Sequence, residues 1–186
     1  MCIRDSNNTA VGYQAGYTNT TSVRNTSVGF LAGYGNTGQG TAFVGSYAGQ
    51  YATGNGNTAV GDAALSTVTN PSSGGNNTAV GNSALTYTSS GSNNVGLGSQ
   101  ALYSNTTASN NVAVGYQASY TNTTGTFNTT VGYQAGYGNT TETNNTFVGY
   151  RAGYTGNAGQ NTGFGHQALL NSGGFGNTSI GYLSMQ

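Results

Sequence analysis

An apolar residue followed directly by glycine recurs along this chain at a nearly constant interval. Successive glycines of this pattern are 17, 16, 16, 20, 17, 17, 17, 17, 16 and 16 residues apart. Such a regular period is typical of repeat architectures, in which each unit stacks on the next. The glycines that mark the period are Gly12, Gly29, Gly45, Gly61, Gly81, Gly98, Gly115, Gly132, Gly149, Gly165 and Gly181.

We call residues at the same position of successive units a column. Two further columns precede the glycine column with the spacing of a β-strand. The residue before the glycine is always apolar, and the residue two positions earlier is Thr or Val in every unit except the one with Ala42. Side chains two residues apart lie on the same side of a strand. We therefore expect both columns to point inward.

An asparagine column comes one residue earlier still, and only Thr41 interrupts it. Stacked amides can bond their neighbours above and below, so this column predicts a structural amide ladder rather than a ligand site. Its members are Asn8, Asn25, Asn57, Asn77, Asn94, Asn111, Asn128, Asn145, Asn161 and Asn177.

An alanine column follows the glycine by three residues, with tyrosines often two residues before and after the alanine, as in Tyr116 and Tyr120. This spacing predicts a second strand, Tyr-Gln-Ala-Gly-Tyr, after a turn at the glycine. The remaining Asn, Thr and Gly residues are typical of turns. The predicted fold is all-β: a parallel β-solenoid, or β-roll, of about eleven rungs of ~17 residues with two short strands each.

Domain organisation follows from where the repeat begins and ends. Residues 1–6 match no column, and we expect them to be extraneous or disordered, whereas residues 7–186 are expected to form one repetitive domain. The longest interval contains the only proline, Pro71, and should bulge a turn without disturbing the strands. No capping element precedes Gln186, so we expect the chain to be part of a longer fibre or a unit of a stacked polymer.

The segments Asn111 to Ala118 (Asn-Val-Ala-Val-Gly-Tyr-Gln-Ala) and Asn94 to Ala101 carry a family resemblance. They are similar to the head repeats of YadA-like trimeric autotransporter adhesins and to repeats in the shafts of phage tail fibres. The resemblance extends over residues 7–186. It implies a left-handed parallel β-roll, commonly with three chains side by side, that projects from a surface and binds targets or acts as a spacer.

Charge narrows the choice of partners. The chain has three Lys or Arg and three Asp or Glu residues, and its net charge is zero. Nucleic-acid binders and membrane-surface binders need a basic face, so neither class is expected. No apolar run reaches the roughly 20 residues of a membrane helix, so we expect no membrane insertion of this segment. The expected partners are copies of the chain, in a homotrimer or an end-to-end filament, and cell-surface glycans or proteins.

The side chains that catalysis requires are scarce and scattered. His166 and Asp62 occupy a column otherwise rich in Tyr, and Arg151 replaces a Gln. None has a partner at a spacing that predicts an active site, and clustered metal ligands are missing. We therefore predict that the chain is not an enzyme and holds no metal or cofactor.

Two polar features leave alternatives open. Asn19, Asn105, Asn122 and Asn139 each begin an Asn-Thr-Thr sequence in a turn expected to be exposed, which makes them candidate glycosylation sites. The fourteen tyrosines could fill the core, form a seam between subunits, or present an outward ladder that binds sugar or another surface. We favour the core or the seam.

The predicted function is that of an extracellular structural fibre segment, an adhesin head or tail-fibre shaft on a cell surface or virion. An ice-binding β-solenoid with rows of threonine is the alternative, and the inward direction expected for the threonine column counts against it. A polysaccharide lyase or depolymerase is a third interpretation, which lacks the charged cluster that such chemistry uses.

Overall fold

A computed structural model describes residues 7–67, 71–155, 158–171 and 173–185. The predicted extraneous segment, residues 1–6, lies outside this range. Within the described residues the chain forms eleven strands of three residues and no helix. The strands are β1 (Thr9–Val11), β2 (Thr26–Val28), β3 (Ala42–Val44), β4 (Thr58–Val60), β5 (Thr78–Val80), β6 (Val95–Leu97), β7 (Val112–Val114), β8 (Thr129–Val131), β9 (Thr146–Val148), β10 (Thr162–Phe164) and β11 (Thr178–Ile180).

The strands form one parallel sheet in chain order, from β1 to β11. Like residues pair across it, since Val11 is opposite Val28 and Val80 is opposite Leu97. Each unit of about 17 residues therefore completes one coil and returns to the sheet one level along the axis. The all-β parallel solenoid is confirmed. In the described part of the chain, no helix is long and apolar enough to cross a membrane.

The side of the strand that faces the interior is the reverse of the prediction. The middle residue of each strand is the more buried one, as at Ala59 and Ala113, whereas the flanking Thr and Val columns are half-buried or exposed. The interior of a coil is narrow and takes only the middle residue, which is small in most strands, so the β-branched residues lie on the outer surface of the sheet.

Two positions in each coil fill the interior together, and where the side chain at one is large, the side chain at the other is small. One is the middle of the strand, and the other lies six residues later. Phe147 faces Gly153, and a Cβ on that glycine would lie 2.5 Å from the phenylalanine ring. Where the strand has a small residue, such as Ala79, a buried leucine such as Leu85 takes the later position. A large side chain from one wall is thus matched by a small one from the other.

The predicted second strand does not form. In the segment after the column glycine, residues with positive φ alternate with residues that lack it, as at Gln117 (φ 53°) and Ser119 (φ 50°) on either side of Ala118. An alternating backbone cannot be a strand, but it still bonds both neighbouring coils. Gln117 N–H donates to Ser99 O (3.0 Å), and Ser119 N–H donates to Ala135 O (2.9 Å). Each coil therefore has one strand and one stacked irregular segment.

The longest interval between column glycines, the 20 residues from Gly61 to Gly81, leaves the sheet intact, as predicted. Residues 68–70 lie outside the described part of the chain, but β4 and β5 pair in the ordinary register, with Thr58 opposite Thr78 and Val60 opposite Val80. An isolated bridge also joins Ala52 to Ser72. The pairing of β4 with β5 is therefore unchanged by the longer interval.

Candidate functional surfaces

The glycine column ends every strand at a point where successive coils are in close contact. Gly115 has φ 132°, and a Cβ at this position would overlap the carbonyl oxygen of Gly132 in the next coil. The same arrangement recurs along the column as far as Gly165, whereas the nearest atom to a Cβ at Gly181 is in the side chain of Ser184, 3.9 Å away. The column is structural, because any side chain would separate the stacked coils.

The predicted asparagine ladder bonds mainly from side chain to backbone. The backbone N–H of Asn128 donates to Oδ1 of Asn111 (2.8 Å), whose Nδ2 donates to the carbonyl of Gly125 (2.9 Å). Equivalent N–H to Oδ1 bonds join successive members along the column. Direct amide-to-amide bonds occur from Asn94 to Asn77 (3.1 Å) and from Asn111 to Asn94 (3.3 Å). The ladder pins the start of each strand.

The four candidate glycosylation sites are not on exposed turns. Asn105, Asn122 and Asn139 are completely buried, and Asn19 is 8% exposed. Asn122 accepts a hydrogen bond from Gly125 N–H (3.1 Å) and donates one to the carbonyl of the same residue (2.9 Å). The expected exposure was wrong because these amides form a second internal column that closes the turn. In the folded chain they are inaccessible to glycans.

The outer surface of the sheet presents two parallel columns of side chains, which we call the Thr–Val face. One column consists of Thr9, Thr26, Ala42, Thr58, Thr78, Val95, Val112, Thr129, Thr146, Thr162 and Thr178. The other consists of Val11, Val28, Val44, Val60, Val80, Leu97, Val114, Val131, Val148, Phe164 and Ile180. This face carries no charge and, at about 4.8 Å per strand, extends for about 50 Å.

The tyrosines lie outside the core, so the core interpretation was wrong. All fourteen are at least partly exposed, and most stack in ladders along the axis. One ladder consists of Tyr116, Tyr133, Tyr150, His166 and Tyr182, with ring centroids 4.8–5.3 Å apart. A second consists of Tyr87, Tyr103, Tyr120, Tyr137 and Tyr154, with centroids 4.9–5.2 Å apart.

A row of amides runs between these two ladders. Gln117 Nε2 donates to Gln100 Oε1, and Gln134 Nε2 donates to Gln117 Oε1, both at 2.8 Å. Arg151 ends the row, because its Nε donates to Gln134 Oε1 (2.9 Å). Its guanidinium carbon lies 5.5 Å from the ring centroid of Tyr150 and 4.8 Å from that of Tyr154. Arg151 thus contacts both ladders, and we call the ladders and this row the Tyr–Gln–Tyr face. Sequence reasoning identified its residues but not their association, although the repeated Tyr-Gln-Ala spacing signals it.

Two tyrosines of the second ladder have raised pKa values. The hydroxyl of Tyr103 donates a hydrogen bond to that of Tyr87 (3.4 Å). This bond, with burial and repulsion from the neighbouring phenolates of Tyr87 and Tyr120, raises the pKa of Tyr103 to about 12. Burial and the neighbouring tyrosines also raise the pKa of Tyr137. Both tyrosines therefore stay protonated and uncharged at neutral pH.

Two of the remaining reactive side chains, His166 and Asp62, have partners on neighbouring coils. His166 is stacked between Tyr150 and Tyr182, and Asp62 accepts a hydrogen bond from Asn82 (3.2 Å) on another coil. Among the described residues, no three His, Cys, Asp or Glu side chains lie close enough to hold a metal ion.

The fold and its surfaces define a β-solenoid repeat protein. Comparisons with models of known protein families, with curated proteins and with solved structures found no match.

Proposed function

We propose that this chain is a segment of an extracellular structural fibre whose copies associate laterally, as a homotrimer, through the Thr–Val face. Its mechanism is rigidity and repetition, and it carries no active site. The observation that supports this proposal is the continuous apolar column that the strands expose. Val44 is 40% exposed and Leu97 is 44% exposed. An uncharged apolar strip of this length on a free rod is typical of an interface.

A charge placed on this face tests the association. In the double variant Val114→Lys/Val131→Lys, both side chains point away from the interior, so the coil itself should still form. We expect sedimentation velocity to give a trimer for the unaltered chain and a monomer for the variant, because a buried unpaired lysine is strongly unfavourable.

The control is Thr124→Lys, which places the same charge on an exposed turn and should leave the trimer intact. An unaltered chain that stays monomeric at every concentration would contradict the proposal.

Ice binding is the second candidate function, and one observation favours it. The threonine column lies on the outer surface of the sheet, so the inward direction that counted against this function does not hold. Flat arrays of β-branched residues suit contact with ice. A monomer that produces thermal hysteresis, lost in Thr129→Tyr, would favour this candidate over the fibre.

A further inference from the structure

The Tyr–Gln–Tyr face has unused hydrogen-bonding capacity in its centre. An amide group has two N–H donors and an oxygen that can accept two bonds. In the row, each glutamine amide donates one hydrogen to the preceding oxygen, as in Gln117 and Gln134. Because Gln100 and Gln117 are only partly buried, their second N–H and second lone pair remain available to a ligand on the surface, whereas Gln134 is buried and continues the row beneath it.

A tyrosine ladder lies on each side of this polar row, and its side chains are amphipathic. Tyr116, Tyr133 and Tyr150 are 41–44% exposed, and each presents an apolar ring edge and a hydroxyl. Tyrosine combines an apolar body with a polar end, which suits ligands that have both C–H surfaces and hydroxyls. Carbohydrates are such ligands.

The charges of the face favour a neutral ligand. Arg151 is the only formally charged residue of the face, and its guanidinium already lies over two tyrosine rings and bonds Gln134. An acidic polymer would find one cation for the whole row. The contacts repeat once per coil, at the strand spacing of about 4.8 Å. An extended β-1,4-linked glycan advances by nearly the same distance per sugar.

We propose that the Tyr–Gln–Tyr face binds a neutral, extended β-1,4-linked glycan of the cellulose or chitin type, which lies along the solenoid axis with one sugar per coil. The glutamine amides bond the sugar hydroxyls, and the tyrosine ladders contact the two sides of the chain. This inference deepens the proposed fibre function by naming a target, and it rests on that proposal for its biological setting.

The test compares two six-sugar oligomers of glucose that differ only in linkage. Binding of cellohexaose and of maltohexaose to the whole chain is measured by titration calorimetry and by NMR. Cellohexaose, which is extended, should bind at millimolar concentrations, whereas maltohexaose, which coils, should bind at least about fivefold more weakly, since roughly one hydrogen bond per mismatched sugar is lost.

Two variants locate the site. Gln117→Ala/Gln134→Ala should weaken cellohexaose binding by about fivefold or more. Phe127→Ala removes an aromatic ring that is 59% exposed and outside the face, and it should leave binding unchanged. Circular dichroism checks that both variants keep the sheet, and if the double variant unfolds, Tyr133→Ala replaces it with the same expectation.

Several results would overturn the inference: no binding of either oligomer, equal binding of both, or unchanged affinity in the double variant. A fourth would be a change of oligomeric state in the double variant when the sugar does not compete with association of the unaltered chain. That result would assign the face to contact between copies. The sedimentation of the Thr–Val variants does not depend on these outcomes, so failure here is distinguishable from failure of the fibre proposal.

Discussion

The coils of β6 to β10 and those of β3 to β5 share one interior but differ in their exterior. Both regions contain the glycine column and matched interior pairs, such as Phe43 with Gly49 and Phe147 with Gly153. Of these two regions, only the later coils carry both aromatic ladders and an amide row, and the two ladders run side by side without a break from β7 to β9. In β4 and β5 the corresponding outer positions are Asp62 and Asn82.

This difference separates what the fold requires from what it tolerates. The interior columns continue through both regions because each coil is packed between two others. The exterior ladder can be interrupted without loss of the sheet, as the regular pairing of β4 with β5 demonstrates. The fold therefore does not require the continuous Tyr–Gln–Tyr face. Substitutions should lower the free energy of unfolding strongly at interior positions and weakly at exterior ones.

The largest loss of stability is expected from substitution in the glycine column. Gly115→Ala combines a disfavoured backbone with overlap of the next coil, so we expect it to cost about 4 kcal/mol or more, or to prevent folding. At Gly181 the nearest atom to the new Cβ is 3.9 Å away, so Gly181→Ala should cost only the backbone strain of about 1–3 kcal/mol. Denaturant unfolding compares the two, and equal losses would mean that coil contact is unimportant.

The next largest loss of stability is expected from changing the paired interior side chains. Phe147→Ala should cost about 3–5 kcal/mol because it leaves a cavity, and Gly153→Leu alone should overlap the phenylalanine ring. The double variant recreates the arrangement of Ala79 with Leu85, and it should be more stable than either single variant. Thermal melting of the three proteins measures the coupling. Additive losses would be evidence against a shared volume.

The asparagine ladder should contribute a smaller amount. Asn111→Ala leaves the buried N–H of Asn128 without its partner, at about 1–3 kcal/mol, whereas the carbonyl of Gly125 keeps its bond from Asn122. Asn82, which is exposed, provides the matched control, and Asn82→Ala should change stability by less than about 0.5 kcal/mol. Hydrogen exchange should show the loss of protection at Asn128. Comparable effects at both asparagines would argue against the ladder.

Exterior stacking should matter less for stability. Tyr120→Ala removes two stacked contacts and should cost about 1–2 kcal/mol. Tyr120→Phe retains the ring and should be nearly neutral. Chemical denaturation distinguishes these outcomes. A loss in Tyr120→Ala as large as that in Phe147→Ala would mean that the ladder is part of the core after all.

The smallest effect is a dependence on pH. The pKa of Tyr103 is 10.0 in the unfolded chain and about 12 in the folded chain. Between these values the folded chain retains a proton that the unfolded chain has released, so stability falls as pH rises from 10.0 to about 12. Tyr87→Phe removes the largest cause of the shift. Absorbance titration of phenolate should show that the latest component moves to lower pH in this variant, and an unchanged titration would contradict the assignment.

The sequence predicted the features that depend on periodicity. A glycine at the same place in every unit indicates that coils stack there, because only glycine allows the backbones to come so close. The asparagine column indicated an amide ladder for a similar reason, although most of its bonds go to backbone groups that no pattern of side chains reveals.

Features that depend on which side of the backbone faces the interior were predicted wrongly. Thr58 and Val60 were expected inside, because burial is the usual role of β-branched residues in strands. The core was one of the two places expected for Tyr120, and that part of the prediction was wrong. The reciprocal sizes at Ala59 and Leu65, and at Phe43 and Gly49, are a signal in the sequence that would have identified the interior.

The sequence by itself therefore determined the period of this protein, its stacking and the residues that must repeat. Only the tertiary structure decided the direction of each column, the irregular backbone of the second segment and the burial of Asn122. The physical reason is that a repeat specifies which side chains stack on one another, whereas the narrow width of the coil, set by backbone closure over the whole unit, decides which of them fit inside.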